Sequence, residues 1–303
     1  MLLNLRHRLE YGALLAFVLF IRSLPLDWAT AGSARLLTFV GPKTRQHRRA
    51  LKNLEKAMPE KSATEREAIA LAMWDNLGRV MAESFRLNEI LADASRIECE
   101  NAALVARYRG KMGASVFAGL HMGNWEIGMW PTHLAGARPA GVYRLVENPY
   151  VDRFIRRLRA GIYPAGLFAS KGDEGLGTVM RVASYLRAGG TLGLLADVAE
   201  WRGVQVPFFG HMTWMTVAPA WLARRAGTSL WVGRVVRIGK QSRFKVAFHE
   251  LKVPRTDQPG EDIRELTAAM HRQFEIWIRE HPEQWMWSNK RWHDHEMPGG
   301  TQD

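Results

Sequence analysis

The sequence predicts an α/β fold, with a mixed, mostly parallel central sheet flanked by helices and an apolar, membrane-associating helix at the N-terminus. Three observations carry this expectation. Short uncharged apolar runs of strand length recur through the second two-thirds of the chain, stretches with helical spacing fall between them, and a helix-rich region precedes them all. The 303 residues are 47% hydrophobic and 24% charged, enough to build a real core. With no internal repeat, low-complexity tract or clear linker, the economical division is an apolar helical segment over residues 1–35 and a single α/β domain over residues 36–303.

Residues 11–21 (YGALLAFVLFI) are apolar and uncharged, with Arg6, His7 and Arg8 before them and Arg22 after them. Eleven residues are too few to cross a bilayer, which takes about 20. A helix continuing to Leu24 could lie in the interface, its arginines reaching the headgroups. The rival reading is a cleaved signal peptide ending near Ala29-Thr30-Ala31; Glu10 beside the run, and Pro25 and Asp27 before that site, speak against it. Residues 45–52 (RQHRRALK) form the basic side of a short helix. Ser62 and Glu65 have capping-box spacing, and Ile69, Met73, Leu77, Val80, Met81 and Phe85 follow at three- and four-residue steps, so a long amphipathic helix is expected over 63–91.

Strands are expected at 114–120, 140–143, 191–196 and 230–236, each a buried apolar run. Helices are expected between them at 150–160 and 176–188. Phe244, Val246 and Phe248 alternate with polar residues, the pattern of a half-exposed, antiparallel edge strand. A last amphipathic helix over 262–280 carries Ile263, Leu266, Met270, Phe274, Trp277 and Ile278 on one face.

Lys and Arg outnumber Asp and Glu by 42 to 30, a net charge of +12 that calls for an anionic partner. Twelve tryptophans favour a lipid surface, because an indole suits sites that are apolar on one side and wet on the other. Nucleic acid is not indicated, since neither a recognition helix nor a basic and aromatic strand face is present. The single cysteine, Cys99, rules out an intramolecular disulfide. His-Glu-x-x-His, Gly-x-Ser-x-Gly and phosphate-loop motifs are all missing, and no metal or other cofactor is expected. His293, Asp294 and His295 have the side chains of a metal site, but read more simply as a solvated tail.

The segment 121–126 (HMGNWE) carries the chemistry. His121 directly follows a predicted strand, where ligands gather in open α/β sheets. Gly123 permits a tight turn, Asn124 can cap a following helix, and Glu126 falls in its first turn. Such a turn could bring Glu126 back to orient the imidazole, leaving the second ring nitrogen to take a proton from a hydroxyl. Backbone amides at the helix start and a nearby cation could stabilise an oxyanion. The residues alone equally permit an ordinary histidine at a strand end.

The chain resembles the late acyltransferases of lipid A biosynthesis, a family that also includes the phosphatidylinositol mannoside acyltransferases. The resemblance rests on ordered blocks: residues 121–126, Val142-Tyr143-Arg144 with Asn148-Pro149, Leu195-Ala196-Asp197, residues 206–210 (VPFFG), and residues 282–287 (PEQWMW) leading to Arg291. Residues 74–78 (WDNLG) and the apolar N-terminal helix match as well. The resemblance implies an enzyme on the cytoplasmic face of the inner membrane, moving a fatty acyl chain from acyl carrier protein to a hydroxyl of an anionic lipid A precursor. It makes His121 the general base and Glu126 its partner. Asn124, Arg144, Lys171, Asp197, Phe208 and Phe209 become substrate-binding candidates: Arg144 for a phosphate or the thioester carbonyl, Asp197 for a cation or a hydroxyl, and the two phenylalanines for the acyl groove. The chain departs from the family at Leu145, where a proline is common, and in the acidic surroundings of Lys171. Glu200 adds a carboxylate without an assigned role. Alternatives are another glycolipid or lysophospholipid acceptor, with acyl-CoA as donor, and a non-enzymatic basic membrane or nucleic-acid-binding protein.

Overall fold

The computed structural model describes residues 2–103, 113–170 and 175–292. Helices come first: α1 (Leu2–Ser23), α2 (Leu26–Val40), α3 (Arg45–Ala57), α4 (Ala63–Ser84) and α5 (Leu87–Ala92). The capping box forms as expected: Ser62 Oγ accepts from the Glu65 amide and the Glu65 carboxylate accepts from the Ser62 amide at 2.7 Å. The single helix expected over 63–91 is instead two. It ends at Ser84, where the Arg86 side chain turns away to donate to the Leu24 carbonyl and to pair with Glu89. Helices α2 and α4 pack with almost no gap at Gly78, where a Cβ would stand 2.5 Å from the Ser33 carbonyl oxygen.

The sheet has seven strands, β1 (Ile97–Cys99), β2 (Ser115–Gly119), β3 (Pro139–Arg144), β4 (Leu167–Ser170), β5 (Thr191–Leu195), β8 (Ser229–Arg237) and β9 (Phe244–Leu251), ordered β1-β9-β8-β2-β5-β3-β4. Every pairing is parallel except β8 with β9. The mostly parallel α/β sheet expected from sequence is therefore present. β9 is antiparallel to its neighbour as predicted, but it is not the edge, because β1 pairs along its other side. Its Phe244, Val246 and Phe248 are buried while Lys245 is partly exposed and His249 exposed, the alternation expected of a half-exposed strand.

Side chains on both faces of the sheet are buried. Val116, Ala118 and Leu120 point into one core with Leu192, Val232 and Phe274, while Phe117 points the other way into a second with Trp231 and Phe248. Helices α6 (Trp130–Leu134), α7 (Pro149–Arg159), α8 (Gly175–Arg187), α9 (Ala218–Ala226) and α10 (Pro259–Glu280) complete the fold. A separate hairpin, β6 (Ala199–Phe208) with β7 (His211–Met215), turns through Phe209 and Gly210. Both turn residues have positive φ, +51° and +73°, as a two-residue hairpin turn demands.

Among the described residues no helix is long and apolar enough to cross a membrane. α1 is tied to α7 by Asn148, whose side chain donates to the His7 carbonyl and the Glu10 carboxylate while capping α7 through the Tyr150 amide.

Candidate active site

The parallel strands β2, β5 and β3 are neighbours, and their carboxyl ends present His121, Asp197 and Arg144 side by side. Gly119 pairs with Leu195, so His121 and Asp197 each lie two residues beyond the same rung. That register sets one against the other: His121 Nδ1 is 2.7 Å from Asp197 Oδ1, and the His121 amide donates to Oδ2 at 2.9 Å.

Asp197 is fully buried and also accepts from Trp285 Nε1 (2.8 Å) and Arg291 Nη2 (3.1 Å). Burial alone would raise its carboxyl, but the His121 and Arg291 charges and their hydrogen bonds outweigh burial and hold it well below the usual carboxylate range. An ionised carboxylate only accepts, so in the neutral form of the His121 ring the proton sits on Nδ1 and Nε2 keeps its lone pair. His121 lines a cavity of about 1080 Å³, shared with Glu126, Arg144, Arg159 and Tyr163.

Glu126 does not return to the imidazole. Residues 125–127 form a single 3-10 turn, capped by Asn124, and the Glu126 carboxylate is gripped by the guanidinium of Arg159 on α7, with Nε at 2.7 Å. The partner that sequence spacing assigned to Glu126 is Asp197, brought in by the pairing of β2 with β5. Tyr163, beside this pair, is kept protonated by burial and by the Glu126 charge. Two amides of this segment are already engaged, Gly123 N with the Gln284 carbonyl and Glu126 N with Asn124 Oδ1. Two cations, Arg144 and Arg159, line the cavity wall.

The loop is fixed from two sides. Met122 and Trp285 form an antiparallel bridge, and the Met286 amide donates to the His121 carbonyl at 3.0 Å. Gly123 has φ +56°, and a Cβ there would lie 2.2 Å from the Val235 carbonyl oxygen. Behind it, Asn124 Nδ2 donates to Glu83 on α4, which forms a buried ion pair with Arg237 of β8. Asn76 donates to the Gly123 carbonyl and accepts from Arg237. Asn124 is therefore tied into the scaffold behind the loop and does not line the cavity.

Phe208 and Phe209 line neither cavity described here. They are buried in an aromatic cluster with Trp285, Trp287 and Trp292, and the Phe209 amide is held by Glu275 at 2.7 Å. The apolar space lies elsewhere, in a second cavity of about 610 Å³ lined by Val142, Val179, Val182, Leu194, Trp221 and Leu222 among others. Val142, Leu194 and Glu200 line both cavities, so the two adjoin. Lys171 and the sequence His293-Asp294-His295 lie outside the described residues. Arg159 and Glu83 belong to no sequence motif; Arg291 follows the aromatic block at residues 282–287 (PEQWMW), which gives it no role by itself.

The profile of the family described as bacterial lipid A biosynthesis acyltransferase matches residues 3–294. The chain belongs to this acyltransferase family. Two curated relatives are phosphatidylinositol mannoside acyltransferases of Mycobacterium tuberculosis, from strains ATCC 25618 / H37Rv and CDC 1551 / Oshkosh. Each is 28% identical over 248 residues, covering 80% of this chain and 75% of the relative. The acyltransferase match spans all the elements that build the His121 site, from α1 through β2 and β5 to the segment bearing Trp285 and Arg291.

Proposed function

We propose that this acyltransferase moves a fatty acyl chain from the thioester of acyl carrier protein to a hydroxyl of a lipid A precursor at a membrane surface, with His121 as general base. The observation that carries the reading is the His121 imidazole itself. One ring nitrogen is committed to a buried carboxylate, and the ring opens on a cavity large enough for two substrates that adjoins an apolar chamber.

The chemistry follows from the geometry. The acceptor hydroxyl gives its proton to His121 Nε2 as its oxygen bonds to the thioester carbonyl carbon. The carbonyl oxygen becomes an oxyanion, which Arg144 or Arg159 faces from the cavity wall. Collapse of this intermediate breaks the carbon–sulfur bond, and the departing thiolate takes the proton back from the imidazolium. Asp197 holds the ring tautomer throughout. Glu126, neutralised by Arg159, shapes the wall beside His121. The acyl chain occupies the apolar cavity between Val182, Leu194 and Trp221. The exposed apolar residues of α1 and α2 and the +12 charge suit an anionic membrane on the cytoplasmic face of the inner membrane, where both an acidic carrier protein and a phosphorylated glycolipid would be drawn in.

A second reading, transfer to a mannosylated inositol lipid, is favoured by the names of the 28% identical relatives. Acyl carrier protein thioesters of graded chain length, offered with either a lipid A precursor or a mannosylated inositol lipid and followed by mass spectrometry, separate the two. A product on the lipid A precursor is expected; acylation of the inositol lipid alone overturns the first acceptor.

A further inference from the structure

Arg291 is an unusual neighbour for an active site. Both its side chain and that of Asp197 are fully buried, and its guanidinium lies 4.4 Å over the ring of Trp285. It gives Asp197 a single hydrogen bond, 3.1 Å from Nη2. Its Nε and Nη1 have no hydrogen-bond partner among the described residues. A buried donor left unmade costs on the order of 1–3 kcal/mol, so hydrogen bonding does not account for an arginine here. The contribution that remains is one positive charge, enclosed with one negative charge.

We infer that Arg291 is a positioning residue for the transfer reaction: it neutralises Asp197, so that the carboxylate can orient His121 without drawing a proton onto it. The inference rests on the general-base reading above. Asp197 faces His121 on one side and Arg291 on the other. Remove the guanidinium, and the buried carboxylate has only the imidazole to balance it, which favours the imidazolium and raises the pH at which the free base is present. With Arg291 in place the aspartate and arginine are a neutral pair, and the imidazole can stay uncharged.

The other charges around the ring do not substitute for Arg291. Glu126, on the same loop, is already balanced by Arg159 of α7. Arg144 at the end of β3 and Glu200 at the start of β6 line the cavity but are exposed to solvent. His271 of α10 is buried nearby, and burial pushes it down to about 4, so it is neutral at working pH.

The test is the pH profile of acyl transfer in the full-length enzyme. In Arg291→Met the acid limb is expected to move to higher pH by about one unit or more, so the rate at the foot of the limb falls about tenfold further than at its plateau. Arg291→Gln, a second probe should the methionine variant fail to fold, is expected to do the same, and Arg291→Lys to return the limb toward wild type. Trp285→Phe removes a hydrogen bond to the same Asp197 oxygen without removing charge, and should leave the limb in place. Equal loss at every pH in the methionine and glutamine variants, or a shift as large in Trp285→Phe, overturns the inference. Nitrogen-15 shifts of the His121 ring, followed over the same pH range, read its charge without catalysis. An unmoved titration overturns the role of Arg291, whereas a moved titration with an unmoved rate profile overturns the general-base reading instead.

Discussion

Asp197 and His271 are buried close together and respond to acid in different windows. His271 is held at about 4 by burial, whereas an exposed histidine takes up its proton near 6.5. As pH falls below about 6.5 the unfolded chain binds that proton and the folded chain does not, so stability is lost progressively between about 6.5 and 4. The full loss is about 3 kcal/mol, at about 1.4 kcal/mol per unit. Asp197 is displaced in the same direction but by its ion pairs rather than by burial, and in a more acid window: its contribution is present above the ordinary carboxylate value and lost as pH falls below it. Urea midpoints between pH 7 and 4 should therefore fall less steeply in His271→Leu than in wild type. Parallel slopes would show that His271 is not the titrating group. On the proposed mechanism Asp197 contributes to rate as well as to stability. Asp197→Asn keeps the shape and loses the charge, and on the proposed mechanism it lowers transfer about 10²-fold or more, within the range for a positioned base; a rate within twofold of wild type would remove Asp197 from the mechanism.

At the scale of elements, the loop that carries His121 is rigid because β8, α4 and the segment after α10 all grip it. Gly123→Ala puts a methyl group against the Val235 carbonyl and requires a backbone shift, so it should abolish transfer while most of the fold survives. Near-wild-type activity in soluble Gly123→Ala protein would show that the loop has room to adjust. Glu83→Leu leaves Arg237 buried without its partner, and a loss of roughly 3–5 kcal/mol is expected in chemical denaturation. A loss under about 1 kcal/mol would mean that the ion pair is dispensable.

The strands were legible because their apolar runs are local: 114–120, 140–143, 191–196 and 230–236 each became a strand within a residue or two. The place of the site was legible for the same reason, since His121 ends a strand. The identity of its partner was not. Glu126 is five residues away in sequence, while Asp197 is 76 away and becomes adjacent only because β5 inserts beside β2. Arg159 and Arg291 are likewise placed by tertiary pairing that no spacing reveals. Phe208-Phe209-Gly210 reads as part of an acyl groove. Phe208 instead ends β6, and Phe209 and Gly210 form a hairpin turn with positive φ.

Across the whole molecule, the apolar surface gathers at the N-terminus. Leu3, Leu5, Leu9, Leu19 and Phe20 of α1 and Trp28, Leu36 and Phe39 of α2 are all exposed, and Lys43 Nζ lies 3.6 Å over the Phe39 ring. On the proposed function this surface would lie in a lipid interface. Leu19→Glu with Phe20→Glu should weaken cosedimentation with anionic vesicles by about tenfold or more, since each side chain contributes roughly 1.5–3 kcal/mol when buried. Unchanged sedimentation would place the membrane contact elsewhere. The reaction itself decides whether the His121 cavity is the active site. The most direct measurement is single-turnover transfer from an acyl carrier protein thioester to a lipid A precursor, comparing wild type with His121→Ala in protein shown to be folded. A loss of about 10²–10⁴-fold is predicted; transfer at the wild-type rate in the alanine variant would contradict the account.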